Sequence, residues 1–246
     1  MRILGVIPSR YNSTRFPGKP LVDIKGKSMI RRVYEQASKS QALEKVVVAT
    51  DDQRIFDEVV SFGGQVMMTS ESHKNGTERT SEVAERLTGY DYVINIQGDE
   101  PFVHPDQLDL LAKQLDGQTQ IATLVKAITH EAVLDDPNEI KVVFNRNSEA
   151  LYFSRACIPY SRASQNNRLQ HHNYYKHIGL YAYQTDVLKQ LSKQKPTNCE
   201  TAESLEQLRW MEHGFQIKIE LTTLDSQMID TREDLMKIDQ YLNSTS

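Results

Sequence analysis

Short runs of β-branched residues alternate with segments of helical period through the first half of the chain. Residues 3–8 are apolar at nearly every position, the pattern of a strand covered on both faces. Met29, Ile30, Val33, Tyr34 and Ala37 then recur at helical spacing. Residues 45–50 form a second apolar run, and the helix after it turns Ile55, Phe56, Val59 and Val60 inward before Gly63-Gly64 stops it. A short third strand is predicted at 65–68, and the helix following Gly76 aligns Val83, Ala84 and Leu87. A fourth strand is predicted at 92–97, and Leu108, Leu111, Ala112 and Leu115 mark the next helix. This alternation predicts an α/β fold, a Rossmann-like, mostly parallel sheet flanked by helices. In such sheets ligands bind at the carboxyl ends of the strands.

The second half breaks the rhythm. Residues 121–128, 141–144 and 150–153 read as strands without full helices between them, and 160–175 is a polar loop. A strand at 180–184, a helix over 202–213 burying Leu205, Leu208 and Trp210, and a strand at 217–221 follow. The last helix opens at Thr231, with Asp234 three residues on in an approximate capping box, and buries Leu235, Ile238 and Leu242. No repeat, low-complexity tract or linker interrupts the chain. The expected organisation is a single domain over 1–246 with an inserted mixed-strand lobe at roughly 121–185.

Composition narrows the class. Of 246 residues, 39% are apolar and 25% charged, with a formal net charge of −4. That balance gives no general attraction to nucleic acid or anionic membrane. No run approaches the roughly 18 apolar residues of a membrane span, and the apolar start is too short for a signal-peptide core. Two cysteines, Cys157 and Cys199, make no disulfide framework. The expected setting is the cytoplasm.

Charge is uneven. The first 32 residues hold eight basic side chains against one acid, Asp23, which fits either a polyanion site or a solvated basic face. The loop after the first strand favours the polyanion site over an ordinary basic surface loop. It combines Arg10, Arg15 and Lys19 with Ser9 and glycine amides at a strand tip, a mixture that suits a triphosphate. The spacing is neither a Walker A loop nor a dinucleotide fingerprint. A second constellation, Gln97-Gly98-Asp99-Glu100-Pro101, follows the fourth strand. Mg²⁺ prefers carboxylate and phosphate oxygens, so Asp99 with Asp230 is a candidate pair of metal ligands. Asp99 reads equally as a turn former and Asp230 as a helix-start acid. The histidines form no metal motif; His177, just before a strand-like run, would face either a cleft or the core.

Taken together, the motifs resemble the 3-deoxy-manno-octulosonate (Kdo) cytidylyltransferase family. They are Pro8-Ser9-Arg10-Tyr11 with Ser13 to Leu21, Ala49-Thr50-Asp51-Asp52, Gly76-Thr77-Glu78-Arg79 and Asn95 to Pro101. Ala150 to Arg155, His177-Ile178-Gly179-Leu180-Tyr181 and Leu205-Glu206-Gln207-Leu208-Arg209 complete the order. Ser9 and Phe16 stand where Ala and Leu are common, and the segment after Arg155 departs from the family pattern. The resemblance implies an Mg²⁺-dependent transfer of CMP from CTP to the anomeric hydroxyl of Kdo, with Arg10, Lys19, Asp99 and Asp230 catalytic. It places Ser9, Arg10, Arg15, Lys19, Gly76 and Arg79 at the nucleotide, and Asp99 and Asp230 on the metal. Gln97, Arg155, His177, Tyr181, Glu206 and Gln207 would shape the sugar pocket, Arg155 facing the carboxylate. It also implies a homodimer, for which 121–153 is the expected face. Two kinds of alternative stand beside it: a cytidylyltransferase for 8-amino-Kdo or sialic acid, and a non-catalytic nucleotide-binding regulator or a nucleotide-sugar-dependent transferase.

Overall fold

Valine and isoleucine runs resist the helical χ1 constraint and fill a two-sided sheet well, and they form the central strands here. The computed structural model describes residues 1–12, 16–163, 166–225 and 228–236. The chain divides into two units, Met1–Asp109 with Ser226–Ser246, and Leu110–Asp225. The lobe expected at 121–185 thus lies inside a second unit that extends beyond it at both ends.

The first unit opens with β1 (Ile3–Ser9), followed by the two-residue strands β2 (Asp23–Ile24) and β3 (Lys27–Ser28). Lys25 and Gly26, both at positive φ, make the tight turn between that small pair. Then come α1 (Met29–Ala37), β4 (Lys45–Thr50), α2 (Gln53–Ser61), β5 (Val66–Met68), α3 (Gly76–Arg86), β6 (Tyr92–Asn95) and the start of α4 (Pro105–Ala112), whose last three residues belong to the second unit. The four longer strands pair in parallel in the order β6-β1-β4-β5. Three helix starts are set locally, where Ser28, Asp52 and Asn75 accept from Arg31, Arg54 and Glu78 N–H groups. Ile30, Val33, Ile55 and Val59 are fully buried, each contributing about 1.5–3 kcal/mol. Val60, expected inward, is 54% exposed. It sits one residue beyond Val59, about 100° round the helix, so only one of the adjacent valines can face the sheet.

The second unit contains β7 (Ile121–Ala127), α5 (Glu131–Asp135), β8 (Lys141–Phe144), β9 (Ala150–Ser154), β10 (Tyr175–Gln184), α6 (Thr185–Leu191), α7 (Asn198–Glu203), α8 (Glu206–Glu212) and β11 (Ile217–Leu221). β7 lies between antiparallel β10 and parallel β11, and β8 pairs antiparallel with β9. β10 begins five residues earlier than the strand predicted at 180–184. The single helix predicted over 202–213 is two helices, because Ser204 adopts a left-handed conformation (φ 52°) between α7 and α8. Within the polar segment 160–175, Arg168 is buried and pairs with Asp135 and Glu131.

In the first unit, Asp234 N–H donates to Thr231 Oγ1 at 3.2 Å while Thr231 N–H donates to an Asp234 carboxylate oxygen at 3.0 Å. That reciprocal pair is the capping box read from the sequence, and residues 232–236 are helical. Ile238 and Leu242 lie outside the described residues. Among the described residues no helix is long and apolar enough to cross a membrane.

Candidate active site

The tip of β1 carries the site. Ser9 ends the strand, and Arg10 and Tyr11 begin the loop that returns at Gly18. Gly18 N–H donates to the Tyr11 carbonyl at 2.9 Å. Gly18 has φ 73°, and a Cβ there would stand 3.1 Å from the Tyr11 hydroxyl, so a side chain is disfavoured on two grounds. Tyr11 in turn lies under the Arg54 guanidinium, 3.3 Å from its ring centroid. The one-turn 3-10 helix Lys19–Leu21 then starts with Lys19, and Pro20 presets its geometry.

Lys19 Nζ contacts Asp99 Oδ2 at 2.6 Å and Asp230 Oδ1 at 3.0 Å. All three side chains are largely shielded from solvent. Asp99 follows β6 on a turn whose Gly98 passes so close to β1 that a Cβ would sit 2.9 Å from the Pro8 carbonyl oxygen. Asp230 is placed by its neighbour. Ile229 is fully buried with Phe16, Ile24 and Met29, and its N–H donates to the Asp99 carbonyl at 2.9 Å. Burying that isoleucine contributes about 2 kcal/mol to docking the segment. Like charges ~4 Å apart repel by about 4 kcal/mol at an effective dielectric near 20, and two carboxylates gathered on one ammonium face repulsion of that order. The shared ammonium offsets that repulsion, and a divalent cation would do the same.

Arg10, Lys19, Asp99 and Asp230 line one cavity of about 330 Å³ together with Ser9, Gly76, Arg79 and Gln97. Gly76 is the first residue of α3, so the positive end of that helix opens on the cavity. Ser9 Oγ and Asp99 Oδ1 are buried without a hydrogen-bond partner among the described residues, the condition expected of groups that meet a ligand. Arg10 is exposed, and no described residue pairs with its guanidinium. Arg79 differs. It is 3% exposed and donates to Asp51 Oδ2 at 2.6 Å and to Thr69 Oγ1 at 2.5 Å, so it braces the cavity wall. Arg15 lies outside the described residues.

Sequence reasoning missed the other wall of the cavity, His73, Lys74 and Asn75. His73 Nε2 meets the Glu82 carboxylate, which also accepts from Ser70 N–H at 2.9 Å, and Lys74 N–H donates to Glu78 Oε2 at 2.8 Å. These contacts fold the 70–75 segment against α3 and leave the exposed Lys74 ammonium as a further cation at the rim. The legible signal was Asn75, a helix N-cap with Glu78 at the third helical position.

The remaining expected residues belong to the second unit. His177 and Tyr181 lie on β10, their ring centroids 5.0 Å apart. Burial lowers the His177 imidazole to about 3, so it is neutral near pH 7. Burial and the charge of Glu206 raise the Tyr181 phenol well above its usual value, and its hydroxyl has no hydrogen-bond partner among the described residues. Glu206 and Gln207 open α8. Arg155, expected to face a ligand carboxylate, donates to the backbone carbonyls of Glu203 (2.6 Å), Pro137 (2.8 Å) and Ser204 (3.4 Å). Two of these contacts tie it to the break between α7 and α8.

A strand-tip cavity with clustered cations, a helix N-terminus and two converging carboxylates is the architecture of a nucleotidyltransferase. The cytidylyltransferase family model matches residues 4–219. The chain is 51% identical over 249 residues to a 3-deoxy-manno-octulosonate cytidylyltransferase of Parabacteroides distasonis, covering 98% of each protein. It is 50% identical over 252 residues to the Bacteroides thetaiotaomicron protein of the same name, covering all of both. A solved structure of CMP:2-keto-3-deoxy-manno-octonic acid synthetase complexed with CTP superposes with a TM-score of 0.93 at 40% identity over the full length of both chains. The chain belongs to the 3-deoxy-manno-octulosonate cytidylyltransferase family.

Proposed function

We propose that the chain transfers CMP from CTP to the anomeric hydroxyl of Kdo, giving CMP-Kdo and pyrophosphate, the activated sugar for lipopolysaccharide synthesis. The observation that carries this reading is the convergence of Asp99 and Asp230 on Lys19 in the cavity that Arg10 and the α3 N-terminus share. In the reaction a bond forms from the anomeric oxygen to the α-phosphorus, the bond to pyrophosphate breaks, and the hydroxyl proton is released. Both partners are anionic, so the barrier is largely electrostatic and positional. Arg10, Lys19 and the α3 N-terminus neutralise charge on the triphosphate and its leaving group. No side chain is assigned as a general base.

The donor set fits Mg²⁺. Two carboxylates meet at one ammonium, the buried Asp99 Oδ1 has no partner among the described residues, and this ion needs only one or two protein carboxylates beside phosphate and water oxygens. Among the described residues there is no group of three or more His, Cys, Asp or Glu side chains that would hold a metal without a ligand's help. When bound, Mg²⁺ supplies neutralisation of the phosphate charge and acidification of the attacking hydroxyl. Asp99 and Asp230 would hold it.

In the second unit, the neutral His177 and the protonated Tyr181 supply hydrogen-bonding groups for a polyhydroxylated acid, with Glu206 and Gln207; Gln97 lines the cavity of the first unit. A cytoplasmic homodimer is part of the same reading, and exposed Leu151 and Tyr160 are apolar side chains a partner would cover; sedimentation measures that state directly. A pyrophosphate-release assay crossing four nucleoside triphosphates with Kdo, 8-amino-Kdo and sialic acid tests the whole proposal. Release with CTP and Kdo alone supports it. Preference for another acid would move the assignment within the class, and CTP binding without release under any pairing would make the protein a nucleotide-binding regulator.

A further inference from the structure

We propose that Thr123 is a positioning residue that holds the His177 imidazole in its Nε2–H form, leaving Nδ1 unprotonated as an acceptor for a hydroxyl of the sugar acid. The inference rests on the reading above for the sugar, but the tautomer itself follows from hydrogen-bond bookkeeping within the second unit.

The β7–β10 ladder is irregular here. Ile178 pairs with Leu124, yet the next pair is Tyr181 with Thr123, so Gly179 and Leu180 are extra residues on β10. The bulge turns two carbonyls toward the buried Thr123 hydroxyl. Leu180 O lies 2.7 Å from Thr123 Oγ1 and Ile178 O lies 3.3 Å from it, while His177 Nε2 stands 2.9 Å from the same oxygen.

A hydroxyl has one proton to donate. A carbonyl oxygen has none, so two oxygens at 2.7 Å repel unless the Thr123 proton lies between them. That proton therefore goes to Leu180 O. Thr123 Oγ1 is then left as an acceptor, and the 2.9 Å contact must be Nε2–H donating to it. The ring is neutral near pH 7 because burial lowers its pKa to about 3, and a neutral imidazole carries one N–H. Nδ1 is bare, and no described residue donates to it.

The ring cannot swivel freely to change this arrangement. Phe153 packs edge-on against it at 5.4 Å, Tyr181 lies on it at 5.0 Å, and the His177 backbone N–H is tied to the Ile140 carbonyl at 2.8 Å. The ring of Tyr181, its centroid 5.0 Å from that of His177, carries a hydroxyl that keeps its proton and has no hydrogen-bond partner among the described residues. The two side chains thus offer one acceptor and one donor, matched to neighbouring hydroxyls on one ligand. The opposite tautomer would present two donors and would select a different ligand pattern. Thr123 touches no substrate atom in this account and acts only through His177.

The test is long-range ¹H–¹⁵N correlation on the full chain labelled at histidine, near neutral pH and without ligand, with His177 assigned by loss of its signal in His177→Gln. The expected wild-type spectrum shows Nε2 protonated and Nδ1 not. In Thr123→Val the ring should populate both tautomers, and KM for Kdo should rise about tenfold, the effect of one unmatched hydrogen bond, with kcat changed by less than about twofold. Thr123→Ser should restore both the spectrum and KM. A wild-type His177 protonated at Nδ1 would overturn the proposal, as would a Thr123→Val protein with unchanged tautomer and unchanged KM. If the valine variant fails to fold, the wild-type spectrum still decides. If wild-type protein turns over no sugar acid, the substrate reading falls while the spectrum continues to judge Thr123.

Discussion

Lys19 Nζ lies 2.6 Å from the Asp99 carboxylate although 80 residues separate the two in the chain, and the same ammonium reaches Asp230 at 3.0 Å from 211 residues away. One cation thereby marks the point where the β1 loop, the β6 tip and the segment before the last helix meet. The chemistry proposed for the chain depends on that meeting.

Asp99→Asn and Asp230→Asn keep shape and remove charge. Each is expected to lower kcat by about a thousandfold or more, the scale of losing preorganised electrostatic stabilisation, with the folded state preserved. Pyrophosphate release measured across an Mg²⁺ titration, beside far-UV circular dichroism, checks this. Near-wild-type turnover by both variants at saturating Mg²⁺ would remove the carboxylates from the mechanism.

Two arginines of the same cavity should separate cleanly. Arg10 is exposed and unpaired among the described residues, so Arg10→Ala should weaken CTP binding about tenfold or more and leave Tm nearly unchanged. Arg79 is buried against Asp51 and Thr69. Its removal strands a shielded carboxylate, so Arg79→Ala should cost about 3 kcal/mol of stability. Calorimetric CTP titration and thermal melts of the two variants give the comparison. An Arg79→Ala protein with wild-type Tm would contradict the bracing role.

His177 gives a pH signature. Its folded-state value, near 3, lies below the ordinary imidazole value of 6.5, so between those limits the unfolded chain binds a proton that the folded chain excludes. Its contribution to stability is therefore complete above about pH 6.5 and declines as pH falls toward 3, with a slope of at most about 1.4 kcal/mol per pH unit. Urea unfolding at pH 7 and pH 5 should show this decline in the wild type and a shallower one in His177→Gln. Equal slopes would mean that the ring is solvated.

Much of this arrangement was readable from the residues alone. The strands β1, β4 and β6 are near-continuous apolar runs because both faces are covered. The Thr231–Asp234 capping box was equally legible, since its signal is local. The break in the helix predicted over 202–213 was not. It falls on Ser204, whose left-handed conformation has no glycine to announce it, and it depends on the Arg155 contacts to the Glu203 and Ser204 carbonyls. The first half of β10 was hidden because Lys176 and His177 are polar, and their burial follows from tertiary partners. Asp99 and Asp230 were each readable as ordinary turn and helix-start acids. They are brought together by contacts between segments far apart in sequence, the Ile229 N–H bond to the Asp99 carbonyl and the Lys19 ammonium that meets both carboxylates.

The central claim is that Asp99 and Asp230 jointly face one cation on one bound nucleotide. Anomalous diffraction from crystals grown with CTP and Mn²⁺ in place of Mg²⁺ tests it most directly. The account predicts a manganese peak contacted by both carboxylates and by phosphate oxygens, in the cavity that holds Arg10 and Lys19. A nucleotide bound with its manganese away from both aspartates would contradict it.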